Sequence, residues 1–335
     1  INFTIGVFMT KNHISLENLK IKSENAHKRI VEKISNSPLI KSNIYGTDLF
    51  FKAENFQFSG SFKIRGAFSK LTQLEKEGVL KNAKLITASS GNHGLACSYA
   101  ARELGGDLTV VLPETVAIVK LEKIRSYGIT VILEGQESGE AETYAQKLAK
   151  EEGYLYVSPY NDLDIIAGQG TIGLELIEAL GQNGIDNVFV SMGGGGLISG
   201  ISAVLKAANP NIKVWGVSAE NSCTLGDSLK LGRIVDTKHL PTLADGVSGG
   251  IDSDTVTFEI CKSTVDELLW CDEKEITSSF LKFAFDEHQI IEGSAALALA
   301  GYEKVSEQLK GQTSVVIACG ANVDQSLVQK LLSQN

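Results

Sequence analysis

The chain has 335 residues, 43% of them hydrophobic and 21% charged, which supplies enough apolar side chains for two cores and predicts two domains. A formal net charge of −9, with no local run of Lys and Arg, excludes nucleic acid as a partner. No apolar run approaches the ~20 residues of a membrane span, and five cysteines (Cys97, Cys223, Cys261, Cys271, Cys319) without a C-x-x-C pair fit a reducing cytoplasm rather than zinc or a disulfide framework.

The opening "INFTIGVFM" lacks a basic lead and is too short for a signal segment; Met9 reads as the natural start, with the preceding residues an addition. The stretch "FSGSFKIRGA", residues 58–67, then sets Lys63 among small and apolar neighbours. Burial there would disfavour the ammonium and leave a neutral amine, the nucleophile a Schiff base needs. A lysine whose stem covers an apolar patch while its head reaches water is the other reading of that stretch alone.

From residue 84 short β-rich runs alternate with helical ones: "KLITAS", "LACSYAARELGG", "LTVVLP", "VKLEKIRSYG", "TVILEG". This βαβαβ order predicts a parallel sheet, extended by the amphipathic "AETYAQKLAKEEG" and the strand-like "YLYVSP". At its first strand-to-helix turn stand Ser89, Ser90, Gly91, Asn92, His93 and Gly94. Two hydroxyls and the free N–H groups of a helix start suit a carboxylate, and Asn92 adds an amide able to donate to a phenolate-like oxygen. His93 has no spaced carboxylate or second histidine, so packing is preferred to a base or ligand role.

A second α/β series begins at "NVFVSM" and runs through "LISGISAVLKAAN", "KVWGVSAE" and "DELLWC" to "TSVVIACG". Its first turn holds four consecutive glycines, Gly193, Gly194, Gly195 and Gly196, so that backbone N–H groups and a helix N-terminus can converge on a phosphate. Neither common nucleotide fingerprint fits: no Lys-Ser/Thr follows the loop, and G-x-G-x-x-G fails at its last position. Glu220, ending a strand where a ribose-holding acid would stand, keeps a dinucleotide oxidoreductase as a competing reading. Residues 221–265 read as a loop-rich wrap around a site. No H-E-x-x-H pair and no G-x-S-x-G elbow occurs, which argues against a zinc hydrolase and an α/β-hydrolase.

Taken in order, "SGSFKIRGA", "SSGNHG", "GQGTIGLEL" (168–176), "GGGGLISG", "ADGV" (244–247) and "CGANVD" (319–324) resemble the fold-type II pyridoxal-phosphate enzymes, within them the serine/threonine dehydratase and serine racemase branch, over roughly residues 25–325. The resemblance implies two open, twisted, mainly parallel sheets flanked by helices, of the tryptophan synthase β kind. It implies a large cofactor-binding domain from 1–76 and 162–335 and a small mobile α/β domain from 77–161. In that family the lysine matching Lys63 carries pyridoxal 5'-phosphate covalently, and Phe62 lies near the ring. Gly193 to Gly196 would cradle its phosphate, Asn92 would bond the ring hydroxyl, Cys319 would face the pyridine nitrogen, and Ser89, Ser90, Gly91, Asn92 and His93 would receive the substrate α-carboxylate. A thiol at Cys319, with an ordinary pKa near ~8.5, would not keep the ring nitrogen protonated as an aspartate would.

The implied activity is loss of water from L-threonine or L-serine to an α-keto acid and ammonia, with Lys63 as the base. Ser90 matches a second acid/base on the opposite substrate face, so serine racemase with dehydratase side activity is the alternative. A β-replacement enzyme is a further one. Glu220 matches a carboxylate that holds Mg²⁺ or Ca²⁺ in several members; here the acid expected soon after it is displaced to Asp227, and a structural role for Glu220 stands beside the metal one. "EGQESGEAETYAQ" has no basic residue before Lys147, which disfavours a β-carboxylate substrate. The family further implies a cytoplasmic homodimer or larger oligomer acting on a small amino acid, and the chain's end soon after "CGANVD" is read as leaving no isoleucine-controlled domain.

Overall fold

The structure, a computed structural model, describes residues 15–46 and 48–333, so the reading of Met9 lies outside the described residues. The Ser15 hydroxyl accepts the Asn18 N–H and so caps α1 (Leu16–Ile30). Then come β1 (Leu39–Lys41), β2 (Leu49–Ala53) and α2 (Lys63–Lys76). The first alternating series is β3 (Lys84–Ala88), α3 (Asn92–Leu104), β4 (Asp107–Leu112), α4 (Ile118–Arg125), β5 (Thr130–Leu133), α5 (Ser138–Glu152) and β6 (Leu155–Tyr156). Helix α6 (Leu163–Leu180), capped by the Asp162 carboxylate, leads into β7 (Asn187–Ser191), α7 (Gly196–Ala208), β8 (Lys213–Ala219) and α8 (Thr224–Leu231). The chain continues as α9 (Val256–Thr264), β9 (Glu267–Cys271), α10 (Glu273–Phe285), α11 (Gly293–Val305), β10 (Ser314–Ala318) and α12 (Gln325–Leu332).

The expectation of a loop-rich wrap over 221–265 is corrected by α8 and α9. Each buries a few residues on one side, Leu225 and Ser228 in α8 and Phe258, Ile260 and Cys261 in α9. Helices of eight and nine residues are too short for that periodicity to stand out from the sequence. The irregular remainder, 232–255, does reach the glycine turn: a Cβ on Gly193 would lie 2.8 Å from the Val247 Cα.

Among the described residues ten strands form two sheets. In the larger, ordered β1-β2-β10-β7-β8-β9, only β1 runs antiparallel; the smaller, ordered β5-β4-β3-β6, is parallel throughout. Strands β7 and β10 are buried at every position, as expected of central strands with helices on both faces. Each sheet contains one point where consecutive connections leave in opposite directions, between β3 and β6 in the smaller and between β7 and β10 in the larger. A crevice opens beyond the carboxyl ends of the strands at such a point. The four turns that leave those ends are 89–94, 157–160, 192–196 and 319–322.

Helix α2 joins the two halves. Ile64, Phe68 and Leu71 share a core with Leu85 and Val110 of the small sheet and Leu95 of α3. Its other side lies against α6 so closely that a Cβ on Gly168 would meet the Arg65 carbonyl oxygen at 2.5 Å. Gly170 and Gly173 admit α1 and α7 in the same way, with the Ser23 Oγ at 2.2 Å and the Ile201 carbonyl oxygen at 3.1 Å from the missing side chains. The "GQGTIGLEL" motif is thus a stripe of bare backbone that seats three helices on α6, and one of them begins with Lys63.

Candidate active site

Lys63 is the first residue of α2, and the turn before it is pinned to the end of β10. Phe62 N–H donates to the Cys319 carbonyl at 3.0 Å, Ala321 N–H to the Gly60 carbonyl at 2.9 Å, and Ser61 bridges to Gly320. Gly60 itself has φ +76°, and a Cβ there would strike the Asn322 side chain at 2.7 Å, so this turn needs glycine twice over. The Lys63 Nζ donates to the Pro159 carbonyl at 2.9 Å and stands 5.3 Å from the Phe62 ring centroid. Burial lowers its pKa from the ordinary lysine value to about 8, with Cys97, Cys319 and Glu292 opposing the shift. A neutral amine is accessible there near physiological pH.

Pro159 leads directly to Tyr160, which packs on the glycine turn. A Cβ on Gly194 would lie 2.4 Å from the Tyr160 ring and one on Gly196 would lie 3.0 Å from the Tyr160 Cα. Gly195 has φ +85° and caps α7 without any side-chain hydrogen bond, which leaves the first N–H groups of that helix unclaimed by a cap. Backbone donors gathered at a helix start, with side chains excluded at each position, suit a phosphate of the size and charge that pyridoxal phosphate carries. The residues present therefore fit that group, with the Lys63 amine one residue away through Pro159 and Tyr160.

Tyr160 cannot simply step aside, because its hydroxyl accepts the Asp252 N–H at 2.9 Å. Gly194→Ala is expected to weaken pyridoxal-phosphate retention by at least ~10-fold while lowering stability by about 1–3 kcal/mol, the usual range for overpacking. Gly139→Ala in α5, where a Cβ meets nothing within 4 Å, serves as the control. Fluorescence titration of the cofactor-free proteins reads both, and equal affinities would contradict a cradle at this turn.

The 89–94 turn faces the site from the small sheet. The Ser89 hydroxyl accepts the Gly91 N–H at 3.2 Å, which shapes the turn; Ser90 and Gly91 are half-buried, and Asn92 opens α3. His93 turns away. Its Nε2 lies 3.0 Å from the Val157 carbonyl and its ring touches the Cys97 thiol, while burial and the Lys63 charge hold its pKa down at about 3. The imidazole is therefore a neutral packed group, and only the backbone N–H of His93 is left to face a carboxylate. Gly94 is bare because a Cβ would strike the Ser89 carbonyl oxygen at 2.0 Å.

Cys319 directly follows β10, buried, and its thiol is held well above its ordinary pKa by burial and by the neighbouring Glu292. Glu292 and Asn322 are the residues that sequence reasoning missed. Asn92 Nδ2 donates to both Glu292 carboxylate oxygens at 2.9 and 3.0 Å, and Asn322 Nδ2 donates to Asn92 Oδ1 at 2.7 Å. A signal existed: Glu292 is a lone acid between the apolar "II" and "GSAALALA", and Asn322 lies inside the "CGANVD" motif. Glu220, by contrast, is exposed at the end of β8, and Asp227 accepts from the Trp270 indole at 3.1 Å and the Cys223 thiol at 3.3 Å. Among the described residues no group of three or more His, Cys, Asp or Glu is arranged to hold a metal ion.

Behind Lys63, Arg65 is fully buried between two carboxylates. It donates to Glu54 from Nε at 2.7 Å and to Glu175 from both terminal nitrogens at 2.6 and 2.8 Å, with Thr171 and Ser37 taking further N–H groups. Lys52 balances the charge with an ion pair to Glu175 at 2.6 Å. Burial alone would lower the Arg65 pKa; Glu54 and Glu175 more than reverse that, and the guanidinium is permanently charged.

The sequence profile described as "Pyridoxal-phosphate dependent enzyme" matches residues 30–320. The chain is 37% identical over 336 aligned residues to the catabolic L-threonine dehydratase TdcB of Staphylococcus aureus, covering 97% of this chain and 96% of that protein. Its fold is similar to that of processed threonine deaminase isoform 2 from Solanum lycopersicum, with TM-score 0.87, 31% identity and coverage of 95% of this chain and 92% of that one. It is also similar to maize serine racemase, with TM-score 0.84, 28% identity and coverage of 94% and 96%.

Proposed function

The chain belongs to the pyridoxal-phosphate dependent enzyme family, and from that premise we propose that it removes water from L-threonine and L-serine to give an α-keto acid and ammonia. The observation that carries this reading is the setting of one amine: Lys63 Nζ donates to the Pro159 carbonyl beside Tyr160, which packs on the 193–196 turn, and its charge acts on His93 of the 89–94 turn. When bound, the cofactor supplies an electron sink for the pair left at the substrate Cα and a covalent hold on the substrate amine.

The chain's own residues do the rest. Lys63 Nζ, neutral in a useful fraction because its pKa is held at about 8, takes the proton from the substrate Cα. Gly193 to Gly196 and the start of α7 hold the phosphate. Backbone N–H groups of the 89–94 turn and the Ser89 and Ser90 hydroxyls receive the substrate carboxylate. Asn92 would donate to the ring oxygen. Cys319 stays a neutral thiol, and beside the ring nitrogen it would offer no charge to keep a proton there, which would favour loss of a β-hydroxyl over transamination.

A second reading, serine racemase with dehydratase side activity, is favoured by the maize serine racemase likeness together with Ser90 at the start of α3. Product analysis with each enantiomer of serine and threonine tests both. We expect keto acid and ammonia from the L-forms, and Ser90→Ala is expected to reduce any interconversion of D- and L-serine by at least ~10² more than it reduces elimination, which shares only the loss of a carboxylate contact. Interconversion unchanged in Ser90→Ala would end the two-base role, and no keto acid from either L-substrate would end the primary reading.

A further inference from the structure

Asn92 is an amide whose two ends do opposite work, so its orientation decides what it offers. Four chain segments meet around it. Asn322 stands between the Ser59 carbonyl, which accepts its Nδ2 at 2.8 Å, and the Lys123 ammonium, which donates to its Oδ1 at 3.2 Å. A carbonyl can only accept and an ammonium can only donate, so the Asn322 amide has one possible orientation. Its Nδ2 must then donate to Asn92 Oδ1, at 2.7 Å, which turns Asn92 Nδ2 to Glu292. Both Glu292 oxygens lie on that nitrogen, at 2.9 and 3.0 Å, so a single N–H serves them and the other is left over.

The packing leaves Glu292 no freedom to do otherwise. It is 4% exposed at the start of α11, its own N–H donates to the Gly320 carbonyl at 2.9 Å, and a Cβ on Gly320 would strike its carboxylate at 2.7 Å. The backbone N–H of Asn322 donates to its Oε2 at 3.2 Å. The titratable groups that face it are Asp245 from the segment before α9, Cys319 from the end of β10, and Lys63 from α2. No cation lies within ion-pair distance of it among the described residues.

We propose that Asn322 and Glu292 are positioning residues that lock the side-chain amide of Asn92 with its nitrogen inward, leaving the second Nδ2 hydrogen for the ring oxygen of the cofactor. The proposal rests on the cofactor reading above. It adds a control by charge: ionised Glu292 accepts from Asn92 on both oxygens, whereas the protonated acid keeps one acceptor and presents a donor that the locked amide cannot take. Burial pushes this carboxyl up to about 7, so the change falls in the neutral range, and acid weakens the lock.

Two near-isosteric variants of the holoenzyme test it through absorption and cofactor affinity rather than turnover. Asn322→Asp replaces the donor nitrogen by an acceptor, releases Asn92, and is expected to weaken pyridoxal-phosphate retention at least ~10-fold with an altered visible band. Glu292→Gln keeps the shape and cannot ionise; the wild-type visible band is expected to change with a midpoint near pH 7, and that of the variant to stay constant. Wild-type affinity and spectrum in Asn322→Asp, or the same pH transition in Glu292→Gln, would overturn the relay. A wild-type protein that takes up no pyridoxal phosphate would instead overturn the assigned function. The relay is then judged on cofactor-free protein with ¹³C-labelled glutamate: a carboxyl titrating near pH 7 that Glu292→Gln removes supports it, and the absence of one overturns it.

Discussion

Lys63→Ala is expected to lower keto-acid formation by at least ~10³, the scale of losing a positioned acid–base group, and to abolish the cofactor adduct that borohydride reduction fixes as a secondary amine. The fold should survive, because the substitution removes an amine whose burial disfavours its charged form. A sharper test uses the wild-type protein. Only the neutral amine adds to the cofactor aldehyde, so adduct formation by cofactor-free protein should rise with pH to a plateau, half-maximal near the lowered pKa of about 8. An ordinary lysine would give a midpoint near 10.5. A midpoint there, or an adduct on another side chain in the intact-mass spectrum, would remove Lys63 from the centre of the chemistry.

Arg65→Met is expected to cost about 3–5 kcal/mol of stability, because it strands Glu54 and Glu175 as buried charges with only Lys52 to balance them. Arg65→Met with Glu54→Gln restores neutrality, so the double variant should lose less than the sum of its parts by about 1–3 kcal/mol. Additive losses in chemical denaturation would show that the cluster is not coupled. The pH dependence has a defined sign. Burial raises the Glu175 pKa, but Arg65 and Lys52 reverse this to a net lowering. Its contribution is complete above the unfolded carboxylate value of about 4.3 and is lost as pH falls through the lower folded value. The stability difference between wild type and Arg65→Met should therefore shrink in acid. Because Arg65 lies two residues after Lys63 and braces α2, its loss should also lower cofactor retention.

The comparison of sequence with structure divides by the range of the physics involved. Alternating strands and helices and the two glycine-bearing turns are legible because each rests on local rules: periodicity, the missing Cβ of glycine, and the exposed N–H groups at a helix start; the role of Lys63 rests instead on the family resemblance. The short α8 and α9 were not, since eight or nine residues carry too little periodicity to separate from polar loop. Motifs such as "GQGTIGLEL" stood out without a reason; only the packing of α1, α2 and α7 shows that Gly168, Gly170 and Gly173 are bare because backbone and side chains of other helices occupy that space.

What the sequence determined by itself was the set of parts: a parallel α/β chain with an amine, an amide and two anion-receiving turns, in an order that resembles one enzyme family. What only the tertiary structure decided was their relation. Residues 229 positions apart in the chain, from Lys63 to Glu292, came to share one largely enclosed space, where charge is costly. The locked Asn92 amide follows from that enclosure, which also supplies the physical cause of the packed His93 ring and the lowered Lys63 pKa that the sequence led us to expect. Desolvation and the pairing of fixed donors with fixed acceptors depend on neighbours in space, and no local pattern encodes them.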